Sequence, residues 1–112
     1  MPEEVWTEER CFITELLNDA DVPDVSLARC RVEPGVTTQL HRLAVREWYV
    51  VEQGRGLMEV GNFEPRPIGP GDVVEIPADT AQRVTNTGAG DLVFQCVCLP
   101  RFTPDCYESL ES

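Results

Sequence analysis

Apolar and polar residues alternate along this chain in short bursts, and no long helical period interrupts them. Val25 to Glu33 (VSLARCRVE) follows the two-residue period of a strand with one buried face. Glu47 to Glu52 (EWYVVE) concentrates the aromatic and β-branched side chains that suit a pleated surface. Cys11–Leu17, Thr37–Leu43, Leu57–Val60, Pro65–Ile68, Val73–Ile76, Gln82–Asn86 and Leu92–Leu99 are further extended runs. Between them lie turn sequences: Pro34-Gly35, Gln53 to Gly56, Gly61-Asn62, Gly69 to Asp72 and Thr87 to Asp91. Asn18 to Asp24 reads as a loop, and the tail after Pro100 as an irregular turn or one short helix. About nine or ten short, evenly spaced strands predict an all-β fold, a sandwich or a barrel. An α/β fold would need long amphipathic segments, and these are missing.

The length, 112 residues, suits one domain over 1–112, with a barrel core over about 9–99 and an acidic tail over about 100–112. The formal net charge is −11. Such a field repels phosphate backbones and anionic lipids, so neither nucleic acid nor membrane is an expected partner. The start, MPEEVWTEER, is acidic where a signal peptide is basic, and no apolar run long enough to span a bilayer follows. A soluble cytoplasmic protein is expected. The carboxylates gather at the two ends (Glu3, Glu4, Glu8, Glu9; Asp105, Glu108, Glu111), expected to lie away from any site. Five cysteines, an odd number, argue against a disulfide framework. Cys96 and Cys98 share one face of a strand, as two small buried apolar residues or as soft ligands.

Two stretches carry the chemistry. The first runs from Gly35 through His41 and Glu47 to Gly54; the second runs from Gly71 through Pro77 and Gln82 to Asn86. Their order and spacing resemble the two motifs of the cupin superfamily, and the likeness covers residues 25 to 99. The resemblance implies one conical β-barrel of the jelly-roll kind with a site in its mouth. It also implies a homodimer built with help from residues 5 to 17.

In metal-binding cupins the four inward positions carry three histidines and a glutamate. Here Leu43 stands for the second histidine and Gln82 for the third, and His41 is the only imidazole in the chain. The reduced set is His41, Glu47 and Gln82. Gln39, two residues before His41, would share its face, and Tyr49 would share that of Glu47. Three readings follow. One divalent transition metal (Mn, Fe, Ni or Zn) is weakly held by His41, Glu47 and Gln82, with Gln39, Cys96 and Cys98 as helpers. Alternatively, a metal-free polar pocket keeps His41 hydrogen-bonded to Glu47 or Gln82. In the third reading the barrel is filled and has no site. Arg42, Arg46 and Arg83 read as outward surface charges, and Trp48 as facing away from the pocket. Asp79, at a motif glycine, should alter only a turn.

The expected function is a metal-assisted enzyme of sugar, organic-acid or secondary metabolism, of isomerase, epimerase, lyase or dioxygenase type. The alternative is a non-enzymatic module that binds a small polar molecule.

Overall fold

The computed structural model describes residues 3–111 and is built almost wholly of strands. They are β1 (Glu4–Trp6), β2 (Phe12–Leu17), β3 (Ser26–Val32), β4 (His41–Leu43), β5 (Arg46–Gln53) and β6 (Gly56–Val60). After these come β7 (Arg66–Ile68), β8 (Val73–Ile76), β9 (Gln82–Asn86), β10 (Leu92–Leu99) and β11 (Tyr107–Ser109). A three-residue 3-10 turn, Pro104–Cys106, precedes β11. The sequence pattern located nine of these; β1 and β11, at the two termini, were not foreseen. Thr37–Leu43 is also less regular than its composition suggests. Only His41–Leu43 is strand, and Thr37 makes one isolated bridge to Thr85.

The strands form two sheets, ordered β1-β2-β3-β10-β5-β8 and β11-β4-β9-β6-β7. Every pairing between named strands is antiparallel. The hydrogen-bond ladder does not run round a full circumference, so the jelly roll is a flattened barrel with open edges rather than a closed cone. The alternation in β5 decides which of its side chains face inward: Glu47, Tyr49 and Val51 are buried, while Arg46 and Glu52 are exposed. The same logic turns Gln82, Val84 and Asn86 of β9 inward.

The main core lies between the sheets around Phe94, Met58, Ile68, Ile76 and Val84. Each such side chain, fully buried, contributes ~1.5–3 kcal/mol. A second, smaller cluster joins Leu43, Val45 and Cys98 to Phe102, Cys106 and Tyr107 of the C-terminal segment. Leu43 therefore has a packing role where the family pattern has a ligand.

Two turn positions explain the motif residues. Gly54 has φ +89°, and a Cβ there would sit 2.4 Å from the Asp91 carbonyl oxygen, so only glycine fits. Asp79 takes φ 59°, a left-handed conformation that aspartate tolerates better than most residues. Its N–H donates to the Leu43 carbonyl at 2.7 Å, so the substitution at the motif glycine leaves the turn intact. Asn86 closes the next turn: it accepts from the Gly88 N–H at 2.9 Å and donates to the carbonyls of Val32 and Gly90.

Candidate functional site

A cavity of about 800 Å³ opens beside the inner face of the six-stranded sheet. Strands β1 to β5 and β10, the β1–β2 turn, the loop into β4 and the C-terminal segment wall it.

His41 begins β4 and is 2% exposed. Its Nδ1–H donates to the Gln39 carbonyl at 2.8 Å, because that carbonyl can only accept. The lone pair therefore sits on Nε2. Burial pushes the imidazole pKa down, opposed by the Gln39 bond, so the ring is neutral near pH 7. The Tyr107 ring stacks on it, with centroids 4.7 Å apart.

Nε2 faces Glu9, whose Oε1 lies 3.5 Å away. Glu9 sits on the β1–β2 turn, where Arg10 adopts φ 66°. A bulky side chain rarely takes that conformation, and here three contacts hold it. The Arg10 guanidinium makes two bonds to Glu111, at 2.7 and 3.1 Å, and one to the Thr37 carbonyl at 3.0 Å. The turn docks onto the loop before β4 through the Gln39 N–H, which donates to the Glu9 carbonyl at 3.0 Å. One-fifth of the Glu9 side chain stays open. Its carboxyl is pushed up to about 7, chiefly by burial and then by the charge of Glu47.

Glu47 is 5% exposed. It accepts from Gln82 Nε2 at 2.9 Å on one oxygen and faces the Cys98 thiol at 3.8 Å on the other. Burial pushes its pKa to about 7, against the opposing pull of Gln82, Cys96 and Cys98. Gln82 lies opposite His41 in the β4–β9 register, yet its amide turns toward β5. Its oxygen accepts the Tyr49 hydroxyl at 2.6 Å. A line of hydrogen bonds thus runs Tyr49 to Gln82 to Glu47, with Tyr49 stacked on Phe94 at 4.2 Å.

The seven residues singled out in the sequence therefore separate. His41, Glu47, Tyr49, Cys96 and Cys98 all border the cavity. Gln82 lies behind Glu47 as its support. Gln39 does not share the face of His41, because residues 37–40 are not a regular strand. Thr38 takes the inward place and accepts the Val84 N–H at 3.0 Å. Gln39 instead turns its side chain to accept the Tyr107 hydroxyl. The expected bond from His41 to Glu47 or Gln82 is replaced by the contacts to Gln39 and Glu9. The expectation that terminal carboxylates lie away from the site fails at Glu3, Glu8 and Glu9, which border the cavity. Arg42, Arg46 and Arg83 do face outward and pair with Glu108, Glu75 and Glu59. Trp48 lies on that outer side under the Arg46 guanidinium, 4.7 Å from its ring centroid.

Sequence reasoning missed Glu9 and Tyr107. Their one signal was weak: Phe102 and Tyr107 are bulky aromatics in an otherwise acidic tail. The residues present do not fit the metal implied by the family pattern. The Gln82 oxygen is occupied by Tyr49, Leu43 offers no donor, and the free imidazole nitrogen faces the Glu9 carboxyl, whose charged form burial disfavours. Among the described residues, no three His, Cys, Asp or Glu side chains are placed to hold an ion.

The cupin domain family matches residues 28–98. The chain is a cupin. An uncharacterized protein of Methanocaldococcus jannaschii is 33% identical over 108 residues, 94% of this chain and 86% of that one. The fold of this cupin is similar to oxalate decarboxylase from Bacillus subtilis, with a TM-score of 0.85 and 15% identity, over 97% of this chain and 30% of that one. It is also similar to Pac13, a nucleoside dehydratase of Streptomyces, with a TM-score of 0.80 and 20% identity, over 98% and 85% of the two chains. At such identities these two structures speak for the fold alone. No helix among the described residues is long and apolar enough to cross a membrane.

Proposed function

We propose that this cupin is an acid–base enzyme, a lyase of the dehydratase type or an isomerase, that moves a proton on a small molecule held in the cavity. One observation carries the reading: Glu9, His41 and Glu47 all line a single cavity large enough for such a ligand. Groups whose ionisation is displaced toward neutral pH, gathered in one cleft, suit general acid–base work.

The roles divide by position. Glu47, as carboxylate, takes a proton from a carbon next to a carbonyl. Glu9 in its protonated form and the neutral His41 stand together as the acid side. In elimination, the electrons of the broken C–H bond form a C=C bond and the C–O bond breaks. Glu9 supplies the proton that leaves with the hydroxyl as water, and His41 holds that carboxyl in place. In isomerisation the same proton returns to a neighbouring atom. Gln82 positions Glu47 from behind the cavity, and Tyr49 holds Gln82 in turn. The nucleoside dehydratase among the structural relatives is in keeping with a water-eliminating reaction on this fold.

The test is a panel of β-hydroxycarbonyl compounds, amine-bearing, neutral and anionic, together with nucleosides, followed by mass spectrometry for loss of water or for deuterium uptake from heavy water. The protein is dialysed against EDTA beforehand. Expected is turnover that survives dialysis, falls about a hundredfold or more in Glu47→Gln, and also falls in Glu9→Gln. Turnover that appears only on adding a divalent metal, or that survives both changes, overturns the proposal. A cupin that binds panel members and turns over none is a binding module.

A further inference from the structure

We propose that the cavity takes a cationic, amine-bearing molecule with an apolar body and shuts out anions, phosphorylated and carboxylated compounds among them. This rests on the cavity being the functional site, as above, and names what enters it.

The argument begins with charge. Five carboxyls border the cavity: Glu3, Glu8 and Glu15 on the rim, Glu9 and Glu47 inside. No arginine borders it, and the chain contains no lysine at all. The arginines are spent elsewhere. Arg10, Arg31, Arg42, Arg46 and Arg83 pair with Glu111, Glu4, Glu108, Glu75 and Glu59 on the outside of the molecule. Arg101 reaches rim residue Asn18, and its N–H meets the Asn18 amide oxygen at 2.8 Å. Among the described residues, none of Glu3, Glu8 and Glu15 forms an ion pair.

Sites that hold phosphate or carboxylate present cations or a run of free backbone N–H groups. This cavity presents neither. An anion entering it would lose its water and meet five carboxyls and no cation. A cation meets an unbalanced negative rim that draws it in, then a carboxyl that can release its proton to pair with it.

Much of the rest of the wall is apolar. Ile13, Leu27, Ala28, Phe94 and Phe102 offer a surface for a hydrocarbon or aromatic body. The face of Tyr107 adds an aromatic surface, which favours a cation over an anion. A neutral sugar would leave much of that wall unmatched.

Three probes with one body and different charges test this: 2-phenylethylamine, 2-phenylethanol and phenylacetate. Each is titrated into the full chain at low salt and followed by amide chemical shifts. The amine should bind at least about tenfold tighter than the alcohol, and phenylacetate should not saturate. The shifts should cluster at Ile13, Ala28 and Tyr107. Glu8→Gln with Glu15→Gln, both exposed and safe for folding, should weaken the amine a few-fold and leave the alcohol unchanged. Phenylacetate binding as tightly as the amine overturns the proposal, as does equal binding of all three or no binding of the amine. The catalytic reading is separable. A preference for the amine without turnover of any panel compound keeps the charge rule and removes the enzyme. Turnover of an anionic substrate removes the charge rule and keeps the enzyme.

Discussion

Glu47 and Glu111 show how differently one side chain behaves in two regions of this cupin. Inside the cavity, burial outweighs three hydrogen-bonding neighbours and pushes Glu47 up to about 7. On the C-terminal strap, Glu111 accepts from Arg10 and from the Leu40 N–H and is held down to about 2. Glu111 is exposed, so water screens much of what that contact contributes. A chain of net charge −11 thus keeps most of its carboxylates on the surface, some of them paired with arginine, and places two in the cavity that give up their proton only near neutral pH. The contrast teaches that acidity of composition does not settle the role of any one glutamate; its desolvation and its partner do.

The comparison can be broken most severely from behind the cavity. Gln82→Leu removes the acceptor of Tyr49 and the donor to Glu47 at once, leaving two buried polar groups unpaired. We expect a loss of about 3–5 kcal/mol in urea unfolding near pH 7. A loss below about 1 kcal/mol would mean that the Tyr49–Gln82–Glu47 line does not hold the site.

Glu47 itself sharpens the comparison through pH. Its folded value of about 7 lies above the ordinary 4.5, so the folded protein keeps a proton that the unfolded chain releases between those values. The resulting stability is fully present below the lower value and is lost as pH rises through the higher one. At 1.36 kcal/mol per unit the full swing is about 3 kcal/mol. Glu47→Gln cannot ionise. Its stability relative to the native chain should therefore improve by about 2–3 kcal/mol between pH 5 and pH 8, as read by urea unfolding at each pH. His41 titrates in both proteins and cancels from the difference. Glu9 should titrate lower in the variant, because the charge of Glu47 contributes to its upward shift. Its side-chain carbon resonance reports this by NMR. A flat difference would show that Glu47 is ionised throughout.

The smallest effect is on the surface. Glu111→Ala releases Arg10 and the Leu40 N–H, so the strap should fray rather than the domain unfold. Amide exchange at Leu40 and Leu110 should quicken a few-fold, while amides of β5 and β10 keep their protection. Exchange that rises equally everywhere would mean that the strap and the sheets open as one unit.

Much of this molecule was legible in residue order. A period of two separates faces on any strand, so the inward placing of His41, Glu47 and Tyr49 followed from alternation and spacing. The turn glycines followed from sterics, as Gly54 shows. Gln39 marks where that reasoning stops. Alternation requires a regular strand, and the loop before β4 is not one, so Thr38 took the inward place.

Glu9 and Tyr107 were beyond the reach of local pattern for the same reason. Glu9 lies on a turn and Tyr107 in a tail, where no repeat tells inside from outside. What brings them to His41 is contact between distant parts of the chain: the Arg10–Glu111 pair, the bond from Gln39 to Glu9, and the pairing of β11 with β4. The sequence by itself determined the strands, their inward faces and a lone histidine at the mouth of a jelly roll. Only the tertiary structure decided that this histidine lies beside a carboxyl from one terminus and against an aromatic ring from the other. Long-range packing sets which groups lose their water, and desolvation sets which of them hold a proton.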